Sequence, residues 1–206
     1  MGNRLSLLTV IAIAAVAMLA GALAQRTLER PAASESNFDA ATVIPEPLSL
    51  PTFELSGVDG PITNTYFAGR WTVVFFGFSN CPDICPTTLA TLASMAAEVR
   101  SSVPEVSVMF VSVDPERDTP DDADRYARFF DASFIGVTGS DAALRALTEP
   151  LGVLYIRVPQ GDDGYTVDHT SSLLLINPDG QLSAVFSAPH DEAAIAADIT
   201  ALATAY

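Results

Sequence analysis

The spacing of apolar positions along the chain predicts short strands alternating with amphipathic helices. Thr72 to Phe78 is an apolar run of strand length, and Val106 to Val113 is a second. Between them Leu89, Leu92, Ala96 and Val99 recur at spacings of three and four, which predicts a helix over Thr87 to Ser101 with one apolar stripe. Strand, helix and strand joined by short connections form a βαβ unit, so the two strands should be parallel. Upstream, Phe53 to Leu55 and Ile62 to Thr63 flank Gly57-Val58-Asp59-Gly60 and read as a hairpin with a glycine-bearing turn.

Downstream, Thr119-Pro120-Asp121-Asp122 supplies an N-cap, a first-turn proline and acidic residues, announcing a helix through Phe130. Phe134 to Val137 is a short strand, Ser140-Asp141 caps a helix running to Thr148, and Val153 to Val158 is another strand. Gly161-Asp162-Asp163-Gly164 is a turn, Leu173 to Ile176 a buried strand, and Asn177-Pro178-Asp179-Gly180 a hairpin turn into Leu182 to Phe186. Ala193 to Ala203, with Ile195, Ile199 and Leu202 on one side, closes the chain as a helix. The class is α/β, with no internal repeat.

The N-terminal third departs from this pattern. Leu5 to Ala24 is a run of 20 residues without a charge, long enough to span a bilayer as a helix. Ala22-Leu23-Ala24 would suit signal cleavage, but the length favours an uncleaved anchor with the domain exported. From Gln25 the composition turns to Ala, Ser, Glu and Pro, with Pro45, Pro47 and Pro51 favouring extended backbone. The expected organisation is therefore an anchor or signal over 1–24, an extended linker over 25–50 and one domain over 51–206. A formal charge of -15, with arginine as the only basic side chain apart from two histidines, argues against a nucleic-acid partner.

The chain has two cysteines, Cys81 and Cys85, at the predicted junction of strand and helix. There the first helical amides lack intrahelical partners and the helix dipole presents its positive end, so a depressed thiol pKa is expected. With Cys85 in the first turn, the two sulfurs can converge on one ion or join as a redox-active disulfide pair; the alternative is a pair of buried core cysteines. Of the two histidines, His169 precedes the Leu173 strand and can reach the same sheet edge, whereas His190 reads as a solvated residue at the start of the last helix. Two thiolates and one imidazole suit Cu(I), also hold Cu(II), and resemble an open zinc site.

Cys81-Pro82-Asp83-Ile84-Cys85-Pro86, Val113-Asp114-Pro115-Glu116-Arg117-Asp118-Thr119-Pro120, Val167-Asp168-His169-Thr170-Ser171 and Asn177-Pro178-Asp179-Gly180 resemble, in order, the signature stretches of the Sco/SenC proteins. The resemblance implies a thioredoxin-like fold and copper held by Cys81, Cys85 and His169. It also implies a metallochaperone for the dinuclear copper centre of cytochrome c oxidase subunit II, in a bacterial inner membrane with the domain facing the periplasm. Other copper chaperones or thiol reductants are further implied partners. Thioredoxin-like oxidoreductases carry a cis-proline where this chain has Ser171, a departure that favours metal handling over general dithiol exchange. A second function remains open: a reductase that keeps the oxidase's copper-ligand cysteines reduced. A peroxide-reducing enzyme of the same fold is a third. Asp83 reads as a first-turn acid, and Asp114 with Arg117 to Thr119 as a loop-shaping and helix-capping group.

Overall fold

A computed structural model describes residues 10–13, 18, 38–161 and 164–206. The proposed anchor, Leu5 to Ala24, lies outside the described residues except for 10–13 and 18; among those described, no helix is long and apolar enough to cross a membrane. Residues 1–37 and Phe38–Tyr206 are separate units, and among the described residues every strand lies in the second.

The strands are β1 (Ala41–Ser49), β2 (Glu54–Gly57), β3 (Gly60–Thr63), β4 (Thr72–Gly77), β5 (Ser107–Ser112), β6 (Ile135–Val137), β7 (Tyr155–Pro159), β8 (Tyr165–His169), β9 (Leu173–Ile176) and β10 (Gln181–Phe186). The helices are α1 (Ile84–Val99), α2 (Pro120–Phe130), α3 (Asp141–Thr148) and α4 (Glu192–Ala205). Six strands form one mixed sheet in the order β1-β10-β9-β4-β5-β6. β4 runs parallel to β5, and β5 to β6, whereas β9 is antiparallel to β4. The expected βαβ unit is therefore present as β4-α1-β5.

The central strands β4, β5 and β9 are buried almost along their whole length, so both faces of the sheet are covered there and both are apolar. Phe75, Phe76, Phe110 and Leu173 are fully buried, each burial contributing about 1.5–3 kcal/mol. Helix α1 turns Leu89, Leu92, Ala96 and Val99 onto this core, the stripe read from the sequence, and adds Met95 to it. Helix α2 begins with a complete capping box between Thr119 and Asp122 and with proline in its first turn.

The linker reading needs one correction. Ala41–Ser49, inside the stretch read as linker, is the edge strand of the sheet and pairs with β10. Its backbone is extended, as Pro45 and Pro47 favour, but it is docked. Both prolines fall in the register break between Val43 and Leu48, and an edge strand tolerates them because one side needs no hydrogen-bonded N–H. The buried Asp198 of α4 fastens the start of this strand, accepting from the backbone amides of Asp39, Ala40 and Ala41 at 3.2, 2.8 and 2.8 Å. β7 and β8 form a two-stranded ribbon apart from the main sheet.

Candidate metal centre

The fully buried run of β4 ends at Gly77, and the chain turns through Phe78 to Asp83 before entering α1. Cys81 sits in this turn, half-buried, while Cys85 is the second residue of α1 and fully buried. The amide of Cys85 donates to Cys81 Sγ at 3.4 Å, so a free N–H of the first turn points at the other sulfur. Asp118 holds the loop: its carboxylate accepts from the Ser79 amide at 2.8 Å and the Ser112 hydroxyl at 2.5 Å, and also from the Ser79 hydroxyl.

His169 closes the site from the end of β8. Its Nε2 lies 3.4 Å from Cys85 Sγ, and the ring packs edge-on to Phe75 and Phe78 with centroids 6.0 and 5.9 Å apart. The carbonyl of Thr170, 3.1 Å from Nδ1, can only accept, so Nδ1 carries the proton and the Nε2 lone pair faces the sulfurs. Burial holds the His169 pKa below its ordinary value, leaving the ring neutral at pH 7 and able to ligate.

The two Sγ atoms and one imidazole nitrogen all lie within 4.8 Å of one another. An ion bonded at about 2.0–2.3 Å holds its donors within roughly 4.6 Å, so the set closes on one ion with little movement. Among the described residues no other group of three such side chains comes together this way. Cys81, Cys85 and His169 are thus the residues that could hold a metal, and they are the three singled out by the sequence.

Two readings change. The depressed thiol pKa expected at the helix start is overturned at Cys85, whose pKa is pushed well above the ordinary thiol range, chiefly by burial. Desolvation outweighs the helix end, because the sulfur lies inside the core rather than at its surface. His190 is not a solvated cap: it is half-buried and its Nε2 donates to the Ser171 carbonyl at 2.9 Å, while Asp191 caps α4 by accepting from Ala194 at 2.9 Å. Asp83 occupies the N-cap of α1, exposed and without a side-chain cap bond. Asp114 is fully buried and pairs with the partly exposed Arg117, a role that their position between a strand and a helix does not reveal.

A mixed sheet with a Cys-X-X-X-Cys turn between its central strand and first helix, and an imidazole brought onto the thiols, defines a thioredoxin-like α/β protein with a dithiol–imidazole centre. The chain belongs to the SCO1/SenC family, whose model matches residues 44–204. It is 34% identical over 149 residues to a protein of Stutzerimonas stutzeri, a match covering 71% of this chain and 73% of that one. To the human protein SCO1 homolog, mitochondrial, it is 34% identical over 140 residues, 66% of this chain but only 46% of that protein. The copper-bound crystal structure of Arabidopsis thaliana ScoI superposes with a TM-score of 0.72 at 31% identity, over 76% of this chain and 99% of that one. At 24% identity and a TM-score of 0.61, over 79% of this chain and 99% of the other, BsSco shows the shared fold; it is described as a member of the Sco family of cytochrome c oxidase assembly proteins.

Proposed function

We propose that this protein takes up copper between Cys81, Cys85 and His169 and delivers it during assembly of cytochrome c oxidase, with the dinuclear copper site of subunit II as recipient. The observation that carries the reading is the convergence of two sulfurs and an imidazole Nε2 within 4.8 Å. Soft thiolates favour Cu(I), and the imidazole extends the site to Cu(II). Cys81 is partly exposed, whereas Cys85 is buried. An acceptor's thiolate can therefore reach the metal there and displace one ligand at a time. The uncharged run Leu5 to Ala24 supports anchoring in a bacterial inner membrane, with the domain on the periplasmic side.

The second reading, a reductase for the recipient's cysteines, is favoured by the same accessible Cys81, whose sulfur receives the Cys85 amide. His169 separates the two, because imidazole binds metal but is not needed for thiolate attack on a disulfide. In cells carrying His169→Ala, oxidase activity should fall almost as far as in cysteine mutants, and the purified variant should still form and reduce its Cys81–Cys85 disulfide. Normal oxidase assembly with His169→Ala would replace the metallochaperone reading by the reductase.

A further inference from the structure

His169 reaches the cysteines from outside the main sheet. It ends β8, which pairs with β7 as a separate two-stranded ribbon. Such a ribbon is marginal by itself. The position of the imidazole is therefore set by whatever ties the ribbon to the body. The antiparallel register puts Tyr165, Val167 and His169 on one face together with Tyr155 and Arg157. On that face Val167 is buried, the Tyr155 hydroxyl donates to Asp141 Oδ1 at 2.9 Å, and Arg157 Nη1 donates to Glu116 Oε1 at 2.5 Å.

One further side chain touches both halves of the metal centre. The Arg117 guanidinium lies over the Tyr165 ring with its carbon 3.9 Å from the centroid, and 5.5 Å from the centroid of Phe78. Its Nη1 donates to the Tyr165 carbonyl at 2.9 Å, and its Nε pairs with the fully buried Asp114. Asp114 also accepts from the Tyr165 hydroxyl at 2.7 Å. Phe78 in turn packs edge-on to His169, and its carbonyl accepts from the Cys81 amide at 3.2 Å. Tyr165 opens the histidine strand and Phe78 opens the cysteine loop. Arg117 is wedged between the two.

We infer that Arg117 is the positioning residue for the third ligand, pinning the β7–β8 ribbon against Phe78 so that His169 Nε2 stays over Cys85 Sγ. The inference rests on the copper reading above. With the pin gone the ribbon stays tied through Val167, Tyr155 and Arg157, but it loosens where Tyr165 meets Phe78 and the imidazole shifts off Cys85 Sγ, while Cys81 and Cys85, both outside the ribbon, stay in place. Two thiolates still satisfy Cu(I); Cu(II), which favours nitrogen, loses its ligand. The pin thereby sets which oxidation state the site prefers. Lysine cannot replace it, because a compact ammonium neither stacks as a plane between two rings nor donates as a fork.

The test is Arg117→Lys in the full chain, with two readouts. In the metal-free protein, amide exchange in Tyr155–Pro159 and Tyr165–His169 should quicken about tenfold or more while the central strands keep their rates. With copper, Cu(II) affinity should fall about 10- to 100-fold with a changed paramagnetic resonance spectrum, and Cu(I) affinity should stay close to wild type. Added to His169→Ala, the substitution should weaken Cu(II) binding no further, because the ligand it positions is already gone. Unchanged exchange, equal losses for both oxidation states, or losses that add in full to those of His169→Ala would overturn the inference. Should Arg117→Lys fail to fold, Tyr165→Leu removes the stacked ring and leaves the Asp114–Arg117 pair; a wild-type Cu(II) spectrum there would also overturn it. If the wild-type chain binds no copper, the copper reading fails, while the exchange rates still decide whether Arg117 is the pin.

Discussion

A single methyl group at Gly77 should disable the metal centre while leaving the fold standing. Gly77 ends β4 directly beneath the cysteine loop, and its φ is not positive, so the glycine is not required by backbone conformation. What requires it is space. A Cβ built there would lie 2.7 Å from Cys85 Sγ, 3.0 Å from Phe110 Cε2 and 3.3 Å from Phe75 Cε1. Carbon and sulfur in ordinary contact are separated by at least about 3.5 Å, so Gly77→Ala must push the sulfur away by close to 1 Å. Cys85 is wholly buried and has one side-chain torsion with which to retreat. Metal–ligand distances hold to about 0.2 Å, so the displacement exceeds what the site can absorb.

Overpacking of this kind destabilises by about 1–3 kcal/mol, of which the smaller unfolded-state entropy of alanine offsets about 0.4–1 kcal/mol. The melting temperature of the metal-free chain should drop by only about 2–8 °C. Cu(I) affinity, read by competition with a chromophoric chelator, should fall about 10- to 100-fold. Wild-type copper affinity in a folded Gly77→Ala chain would refute the packing argument and the placement of Cys85 in the site.

Asp118→Ala removes the acceptor for the Ser79 amide and the Ser112 hydroxyl. It should destabilise by about 3 kcal/mol and lower the melting temperature by roughly 6–12 °C, as calorimetry would show; a change within error would mean that the loop is held by other contacts. Because burial raises the Cys85 pKa, its thiol is protonated at pH 7, and Cu(I) uptake should release protons and strengthen as pH rises. Titration calorimetry in buffers of different ionisation enthalpy measures that release, and identical heats in all of them would contradict it. The raised pKa also means that the metal-free reduced fold keeps the full contribution of this thiol below a free cysteine's ordinary value of 9.0 and loses it as pH climbs beyond. Denaturant midpoints should therefore fall above pH 9, more in wild type than in Cys85→Ser. The anchor proposal expects the chain to remain in the membrane fraction after an alkaline carbonate wash; a soluble exported form beginning at Gln25 would show a cleaved signal instead.

The sequence carried much of this architecture because its elements are locally consistent. Leu173–Ile176 and Pro120–Phe130 fall where an apolar run and a capping box put them. The three candidate ligands needed only a βαβ unit to set Cys81 and Cys85 at one sheet edge, and a histidine ahead of an adjacent strand. What escaped depends on tertiary surroundings. β1 was hidden by Pro45 and Pro47, which mark a linker unless the strand is known to be an edge. β8 could have been found from the alternation of Tyr165, Val167 and His169, all on the inward face. The Cys85 pKa turned on a contest between helix end and burial, and no local pattern reports burial depth. Asp198 and His190 act across 157 and 19 residues of chain, on Ala41 and Ser171, so nothing near them in sequence signals those bonds.

What surrounds copper in this chain is the most direct measure of the site. X-ray absorption on the reduced full chain loaded with copper, paired with metal analysis, should give one copper per chain bound by two sulfurs and one imidazole nitrogen, with the nitrogen lost in His169→Ala. Copper absent from the reduced chain, or a wild-type coordination shell identical to that of His169→Ala, would contradict the claim that Cys81, Cys85 and His169 form a single site.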